Sequence, residues 1–370
     1  MKQNSIRQQS PRQAVNTSQE PMTIGVDLGD RSSCYCALNG SGEVIKEGKL
    51  ATTRTGLAQV FGTIRRCRIA IEVGTHSPWV SRLLVELGHE VVVANPRQVK
   101  LISQSSRKDD RLDARSLARL VRVDPQLLRP IRHRSEKAQI DLMSIRVRAG
   151  LVEMRTALVN QVRGMVKAMG DRVPACGTGQ MTMERIENLA EPVREALRPL
   201  LRMVEKLTGE IHDCDVKLEQ IAREQYPETR LLQQVSGVGT LIALTFILTV
   251  EDASRFQKSR DVGCYVGLRP KRRESGQSQP ELRITKEGDR YLRKLLVQGA
   301  HHVLGWRGPD TDLRRWGLKL ASRGGKNAKK RAIVAVARKL GILMHRLWVT
   351  AEVYAPLRHS QERGPGQAAA

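Results

Sequence analysis

TIGVDLGDRSSCYCALNGSGEVIKEGKL, residues 23–50, is the stretch that decides how the N-terminal part of the chain folds. Apolar residues crowd short runs over 23–28, 34–38 and 44–50, with the length and the β-branched and aromatic content of strands. Turn-forming residues separate them, GDRSS over 29–33 and NGSG over 39–42. Connections this short keep consecutive strands side by side, so a meander of three is expected. Working outward, the pattern changes. Strands are expected at 69–72 and 91–94, with helices over 57–66 and 79–87 between them, as in crossover units. A further helix over 112–121 puts Ala114, Leu117, Ala118 and Val121 on one face.

Three strands, then helix, strand, helix, strand and helix, is the element order of an RNase H-like domain, assigned here to residues 22–130. Beyond it, Ile140, Met143, Val147, Leu151, Met154, Leu158, Val162, Met165 and Met169 step by three, four and four. That eleven-residue repeat gives a straight or slightly right-handed coiled coil. A Gly- and Met-rich stretch over 170–183 interrupts it. Val193, Leu197, Leu200, Val204, Leu207, Ile211, Cys214, Leu218 and Ile221 then follow at heptad-like spacing. Residues 131–226 therefore read as a coiled-coil region that either folds on itself or mediates oligomerisation.

A third domain is expected over 227–350. VSGVG, residues 235–239, precedes an apolar helical run and has the shape of a helix-hairpin-helix turn. There Gly237 and Gly239 would let backbone amides approach a phosphate, although a plain tight turn explains them equally well. A Gly- and Arg-rich loop over 267–283 follows, then a basic helix over 286–297 carrying Lys286, Arg290 and Arg293. A last basic helix over 326–347 carries Lys329, Lys330 and Arg331 beside an apolar stripe. The fold class is thus α/β plus mainly α, with residues 1–21 and 351–370 expected to be largely disordered.

Lys and Arg number 63 against 38 Asp and Glu, a formal charge of +25. An excess this large repels itself, and polyanionic phosphate is the partner that offsets it. The six cysteines form no CxxC and no ligand-spaced cluster with histidine, which argues against a zinc site and a disulfide framework and fits a reducing cytosol. No apolar run approaches the ~20 residues that span a bilayer, and the polar, Gln-rich residues 1–20 hold no hydrophobic core of the kind a signal peptide needs. A cytoplasmic, nucleoid-associated protein without a membrane partner is expected.

Four carboxylates carry the chemistry. Asp27 ends the strand TIGVD and Glu72 ends IAIE, while Asp110 and Asp113 open a helix in RKDDRLDA, one turn apart on one face. Asp110 or Asp113 alone could be a helix cap. The ordered set of strand Asp, strand-end Glu and helical Asp-x-x-Asp is more specific. Converging carboxylates repel unless divalent cations lie between them, and Mg²⁺, with Mn²⁺ as a substitute, prefers such oxygen ligands. Two ions ~3.5–4 Å apart would serve phosphoryl transfer.

These motifs resemble the DEDD-type, RuvC-like transposases of the insertion-sequence group associated with bridge-RNA-guided recombination. The likeness runs from about Thr23 to Trp348 and takes in GVDLG, EVGTHSPW, RKDDRLDARSLARL, SGVGTLIAL, YVGLRP, RESG and RITKEGDRYLRKLL. It implies that Asp27, Glu72, Asp110 and Asp113 form a metal-binding tetrad. It also implies that Ser275, in RPKRRESGQSQ, is a nucleophile forming a 5′-phosphoserine intermediate. Arg269, Lys271, Arg272 and Arg273 crowd that serine with cations suited to a scissile phosphate; Ser278 is a nearby competitor. Asp109 stands where the family usually has a small hydroxyl residue, and its i, i+4 spacing from Asp113 makes it the alternative to Asp110 in the tetrad.

The resemblance further implies DNA partners (element ends and target), a structured guide RNA from the same element, and a homodimer or homotetramer. Serine and carboxylates would have to meet within one protomer or across an oligomer. A junction-resolving nuclease would use the same carboxylates with water as nucleophile, and a scaffold protein would use them structurally. GVDLGDRSS also looks like a phosphate loop of actin-like ATPases, but the second Gly-rich loop and the adenosine motif of those proteins are missing.

Overall fold

The structure, a computed structural model, describes residues 22–97, 109–276, 278, 280 and 282–358. The disorder expected for residues 1–21 and 359–370 lies outside them. The chain divides into two compact units, residues 1–133 and 134–370.

The first unit is built on a five-stranded sheet of β1 (Thr23–Asp27), β2 (Ser32–Leu38), β3 (Val44–Ala51), β4 (Arg68–Glu72) and β5 (Glu90–Ala94). Its spatial order is β3-β2-β1-β4-β5. The meander pairs antiparallel, whereas β4 and β5 join β1 in parallel. Alternation along β1 sends Ile24 and Val26 to one face, where they pack with Ile69, Ile71 and the helices α1 (Arg54–Phe61) and α2 (Ser77–Glu86). The opposite face takes α3 (Asp110–Val123) through Ala114, Leu117, Ala118 and Val121. α1 stops five residues short of the expected end, and a stretch without helix leads from Gly62 into β4.

In the second unit α4 (Glu136–Ala168) and α5 (Glu191–Gln225) pack antiparallel, with Arg148 reaching Asp215 and Arg155 reaching Thr208. Val159, Val162 and Val166 of α4 meet Leu197, Leu201 and Val204 of α5. The remainder surrounds α7 (Thr240–Val250), which is buried along almost its whole length. Around it lie α6 (Thr229–Gln233), α8 (Val262–Tyr265), α9 (Arg290–Leu304), α10 (Asp312–Ala321) and α11 (Ala328–Thr350). No helix among the described residues is long and apolar enough to cross a membrane.

Three expectations change here. The basic helix expected from residue 286 begins at Arg290, because Asp289 caps it by accepting from the Leu292 amide at 2.8 Å. Lys286 and Gly288, with φ of 58° and 70°, lie in a left-handed turn before it. A helix with no counterpart in the sequence reading, α10, starts at Thr311, whose hydroxyl accepts from the Arg314 amide at 3.0 Å. Residues 351–358, expected in a largely disordered tail, fold back: the Pro356 carbonyl accepts from the Asp312 amide and the Tyr354 amide donates to Gln234.

Candidate functional site

Val26 stands beside Ile71 in the parallel β1–β4 ladder. Asp27 and Glu72, the next residue on each strand, therefore end two neighbouring strands at the same edge of the sheet. Such carboxyl ends are where open α/β sheets place their reactive groups. The helix that carries Asp110 and Asp113 reaches this edge because Gly25 lets it: a Cβ there would lie 2.1 Å from the Ala114 carbonyl oxygen and 2.4 Å from the Ala118 amide. Helix backbone thus rests directly on strand backbone. Arg115 adds a lateral tie, its guanidinium donating to Glu47 of β3 at 3.0 Å and holding that carboxyl below its ordinary range.

Cys34, opposite Asp27 in the β1–β2 ladder, registers the convergence. Burial pushes its thiol up, and the negative charges of Asp110 and Asp27 push it further. The first turn of α3 and the end of β1 therefore act on one group. Asp109 is the N-cap of α3 and accepts from the Arg111 amide at 3.0 Å, leaving Asp110 and Asp113 in the first turn proper. The donor set is all carboxylate oxygen, the chemistry Mg²⁺ takes. Among the described residues no three His, Cys, Asp or Glu side chains are drawn together tightly enough to hold an ion.

Sequence reasoning missed a polar latch beside this edge. Trp79 Nε1 donates to His76 Nδ1 at 3.1 Å, which puts the imidazole proton on Nε2, 3.3 Å from Asp30. That contact joins the loop after Asp27 to the loop after Glu72. Ser77 stiffens the second loop, donating to the Gly74 carbonyl and accepting from the Gly74 amide, with His133 Nε2 2.9 Å away. Thr52 donates to the Gly29 carbonyl and fixes the first. The Trp in EVGTHSPW was the available signal.

Ser275 is presented differently. Residues 267–276 and 282–288 form the two sides of a ribbon whose stem pairs Lys271 with Arg283, Thr285 with Arg269 and Lys286 with Gly267. At its tip Ser275 and Ser278 exchange backbone hydrogen bonds, and Gly276 has φ 56°. Ser275 is exposed, as are Arg269, Lys271, Arg272, Arg273 and Lys286. The stem is anchored by interlocked glycines: a Cβ on Gly288 would lie 1.9 Å from the Tyr265 carbonyl oxygen, and one on Gly267 2.1 Å from that of Glu287. Both have positive φ.

Arg293, expected on the nucleic-acid surface, has another task. Its half-buried guanidinium donates to the carbonyls of Val266 (2.9 Å) and Glu287 (2.7 Å), clamping the two sides of the stem. Arg290 remains exposed on the first turn of α9. Lys329, Lys330 and Arg331 are exposed on the first turn of α11, which holds no acidic residue. Cations at that positive end of a helix are unfavourable without an anion to share. Gly237 has φ 87° and packs against Gly299, which accounts for it structurally. Gly239 has open space around it, in a cleft of about 450 Å³ lined also by Gln233, Ser236, Gln298 and His302.

Comparison with known proteins covers both regions. A transposase family profile of the IS110 DEDD type matches residues 24–170, the span of the four carboxylates. A second, described as transposase IS116/IS110/IS902 family, matches residues 229–314 and spans Ser275. The chain is 28% identical over 344 residues to the transposase for insertion sequence element IS1111A of Coxiella burnetii, covering 90% of each. It is 29% identical over 342 residues to a probable family 20 transposase of Pseudomonas aeruginosa, covering 90% of this chain and 98% of the relative. The transposase for IS1328 of Yersinia enterocolitica is 27% identical over 285 residues, 75% of this chain and 82% of that one.

Proposed function

The chain belongs to the IS110/IS116 family of insertion-sequence transposases, enzymes that cut and rejoin DNA, and from that premise we propose a serine mechanism served by an RNase H-like, RuvC-like acidic unit. The observation that carries the reading is that Asp27, Glu72 and the first turn of α3 come to one edge of the sheet. Asp27, Glu72, Asp110 and Asp113 would hold divalent cations, Mg²⁺ or Mn²⁺. A bound ion there supplies charge neutralisation at the scissile phosphate.

Ser275 Oγ attacks the scissile phosphorus and gives up its proton to a base. The bond from phosphorus to the 3′ oxygen breaks, and that oxygen departs as a hydroxyl, leaving a 5′-phosphoserine. A 3′ hydroxyl of the exchanging strand then attacks the same phosphorus and expels the serine, so the phosphoester energy is conserved for rejoining. Arg269, Lys271, Arg272 and Arg273 line the ribbon that bears the serine, and they suit the phosphate on which it acts. The first turn of α11 and Lys286 extend the cationic surface to element-end and target DNA, and to a structured RNA of the same element read by backbone and shape. The active form is a homodimer or homotetramer.

Strand cleavage of element-junction DNA tests this reading. It is expected only when Mg²⁺ and the transcript flanking the element are both present, and is lost with EDTA. Cleavage that proceeds in EDTA would overturn the acidic site, and cleavage indifferent to the transcript would overturn the guide.

A further inference from the structure

The chain has three Phe, five Tyr and four Trp. Eleven of these are buried or half-buried, whereas Trp306 keeps 84% of its surface exposed. The other tryptophans are engaged: Trp79 donates to His76, Trp316 lies under Lys339, and Trp348 packs edge-on against Phe246. The turn that presents Trp306 is pinned from both sides. The Gly305 amide donates to the His302 carbonyl and the Gly308 amide to the Gly305 carbonyl, both at 3.1 Å. The Arg314 guanidinium donates to the Val303 carbonyl at 2.7 Å and also to that of Gly305. Gly308 packs tightly, since a Cβ there would lie 2.4 Å from the Val303 carbonyl oxygen. A side chain held on so fixed a backbone gives up little further freedom when a ligand covers it. Arg307 lies over the indole, its guanidinium carbon 4.3 Å from the ring centroid. It is exposed and forms no ion pair among the described residues. Asp310, the nearest acid in sequence, is taken by Arg315 at 2.9 Å.

We propose that Trp306 and Arg307 form a subsite for one unpaired nucleobase and its phosphate. The base stacks on the indole face that Arg307 leaves open, and the guanidinium meets the phosphate. Every base has a flat π-face, and stacking needs no hydrogen-bond partner, so a single exposed ring suffices. Bases inside a duplex are covered by their neighbours and do not fit. A protein partner fits less well, because a tryptophan that anchors a protein interface sits among other apolar contacts. Between residues 298 and 317 no other large apolar side chain is exposed. The inference rests on the nucleic-acid partners of the proposed function and adds to them a site apart from the acidic residues and the serine.

Full-length protein is titrated with labelled oligothymidylate, oligouridylate and a duplex, each about 12 nucleotides or base pairs long, and binding is followed by anisotropy. Trp306→Ala is expected to weaken single-strand binding about tenfold and duplex binding by less than about twofold. It should keep the wild-type slope of affinity against salt, whereas Arg307→Ala should lower that slope by about 0.7. Trp306→Phe, which retains a ring, should recover most of the affinity. Tryptophan emission of wild type should fall on binding unlabelled oligothymidylate or oligouridylate, and that quench should be missing from Trp306→Phe. The strand that shows the loss, DNA, RNA or both, is the one the subsite holds. Single-strand affinity unchanged in Trp306→Ala, or an equal loss on duplex, would overturn the subsite while duplex binding by wild type left the proposed partners standing. A change of oligomeric mass with single-strand affinity unchanged would assign the ring to a protein contact instead. Wild type that binds no nucleic acid would overturn both. Should Trp306→Ala fail to fold, the quench in wild type and its absence in Trp306→Phe decide.

Discussion

The two regions proposed to carry the chemistry are made in opposite ways. Asp27 and Glu72 follow buried Val26 and Ile71 on their strands, Asp113 precedes buried Ala114, and the helix bearing Asp110 and Asp113 touches strand backbone at Gly25. Among the described residues, Ser275 sits at the exposed tip of a ribbon without a regular strand, anchored at its base by Gly267, Gly288 and Arg293. Geometry demanded of several oxygens at once is supplied by a packed core. The proposed nucleophile, which would have to reach a bulky substrate, is carried on an arm anchored at its stem.

That contrast can be broken by substitution. The largest effect is expected at Gly25→Val, where the added side chain meets Ala114 and Ala118 and must displace α3. We expect a loss of about 3 kcal/mol of stability and of cleavage together, read by denaturant unfolding and strand nicking. Stability kept near wild type would show that α3 does not depend on that contact. Gly288→Ala, strained by φ 70° and by the Tyr265 carbonyl, should cost about 2–3 kcal/mol in the second unit and release the ribbon, read by protease sensitivity at residues 269–283. Arg293→Met should cost about 1–3 kcal/mol through two unanswered carbonyls. It should change DNA affinity less than Arg272→Ala does. Equal affinity losses would return Arg293 to the binding surface.

At the arm itself the expected effects are small in stability. Arg272→Ala and Arg273→Ala should each stay within ~0.5 kcal/mol of wild type while lowering the slope of log binding constant against log salt by about 1. The smallest effect belongs to Glu47. Its folded carboxyl lies below the ordinary range because Arg115 donates to it. The stabilisation it gives is present above the unfolded carboxyl's pKa and is lost as pH falls through the lower folded value. The melting temperatures of wild type and Glu47→Gln should therefore converge as pH drops below ~4. A gap that persists there would assign the effect to packing.

Much of the first unit was legible because strands advertise themselves by short apolar runs between turns. Asp27 and Glu72 were placed at strand ends by that reading alone. The choice among Asp109, Asp110 and Asp113 as cap was not, since all three suit a helix start and only the backbone of Asp109, extended at φ −142°, singles it out. The stem of the ribbon escaped because its glycines and Arg293 act on partners some 20 residues away, and a basic residue facing carbonyls reads like one facing phosphate. The stripe on α4 was found by its period, but α4 is apolar on two sides. Periodicity located the stripe, but Val162, one of its members, is buried against α5 with Val159 and Val166, so the period alone did not separate the side that closes the hairpin from the exposed one.

The central claim is that a serine on the arm attacks DNA in a reaction that needs the acidic edge. A denaturing gel for protein covalently joined to DNA tests it directly, with element-junction DNA, the flanking transcript and Mg²⁺. Wild type should give an adduct, and Ser275→Ala and Asp27→Ala should each abolish it while Ser278→Ala retains it. Cleavage without an adduct, undiminished in Ser275→Ala, would contradict the account and leave water as the nucleophile.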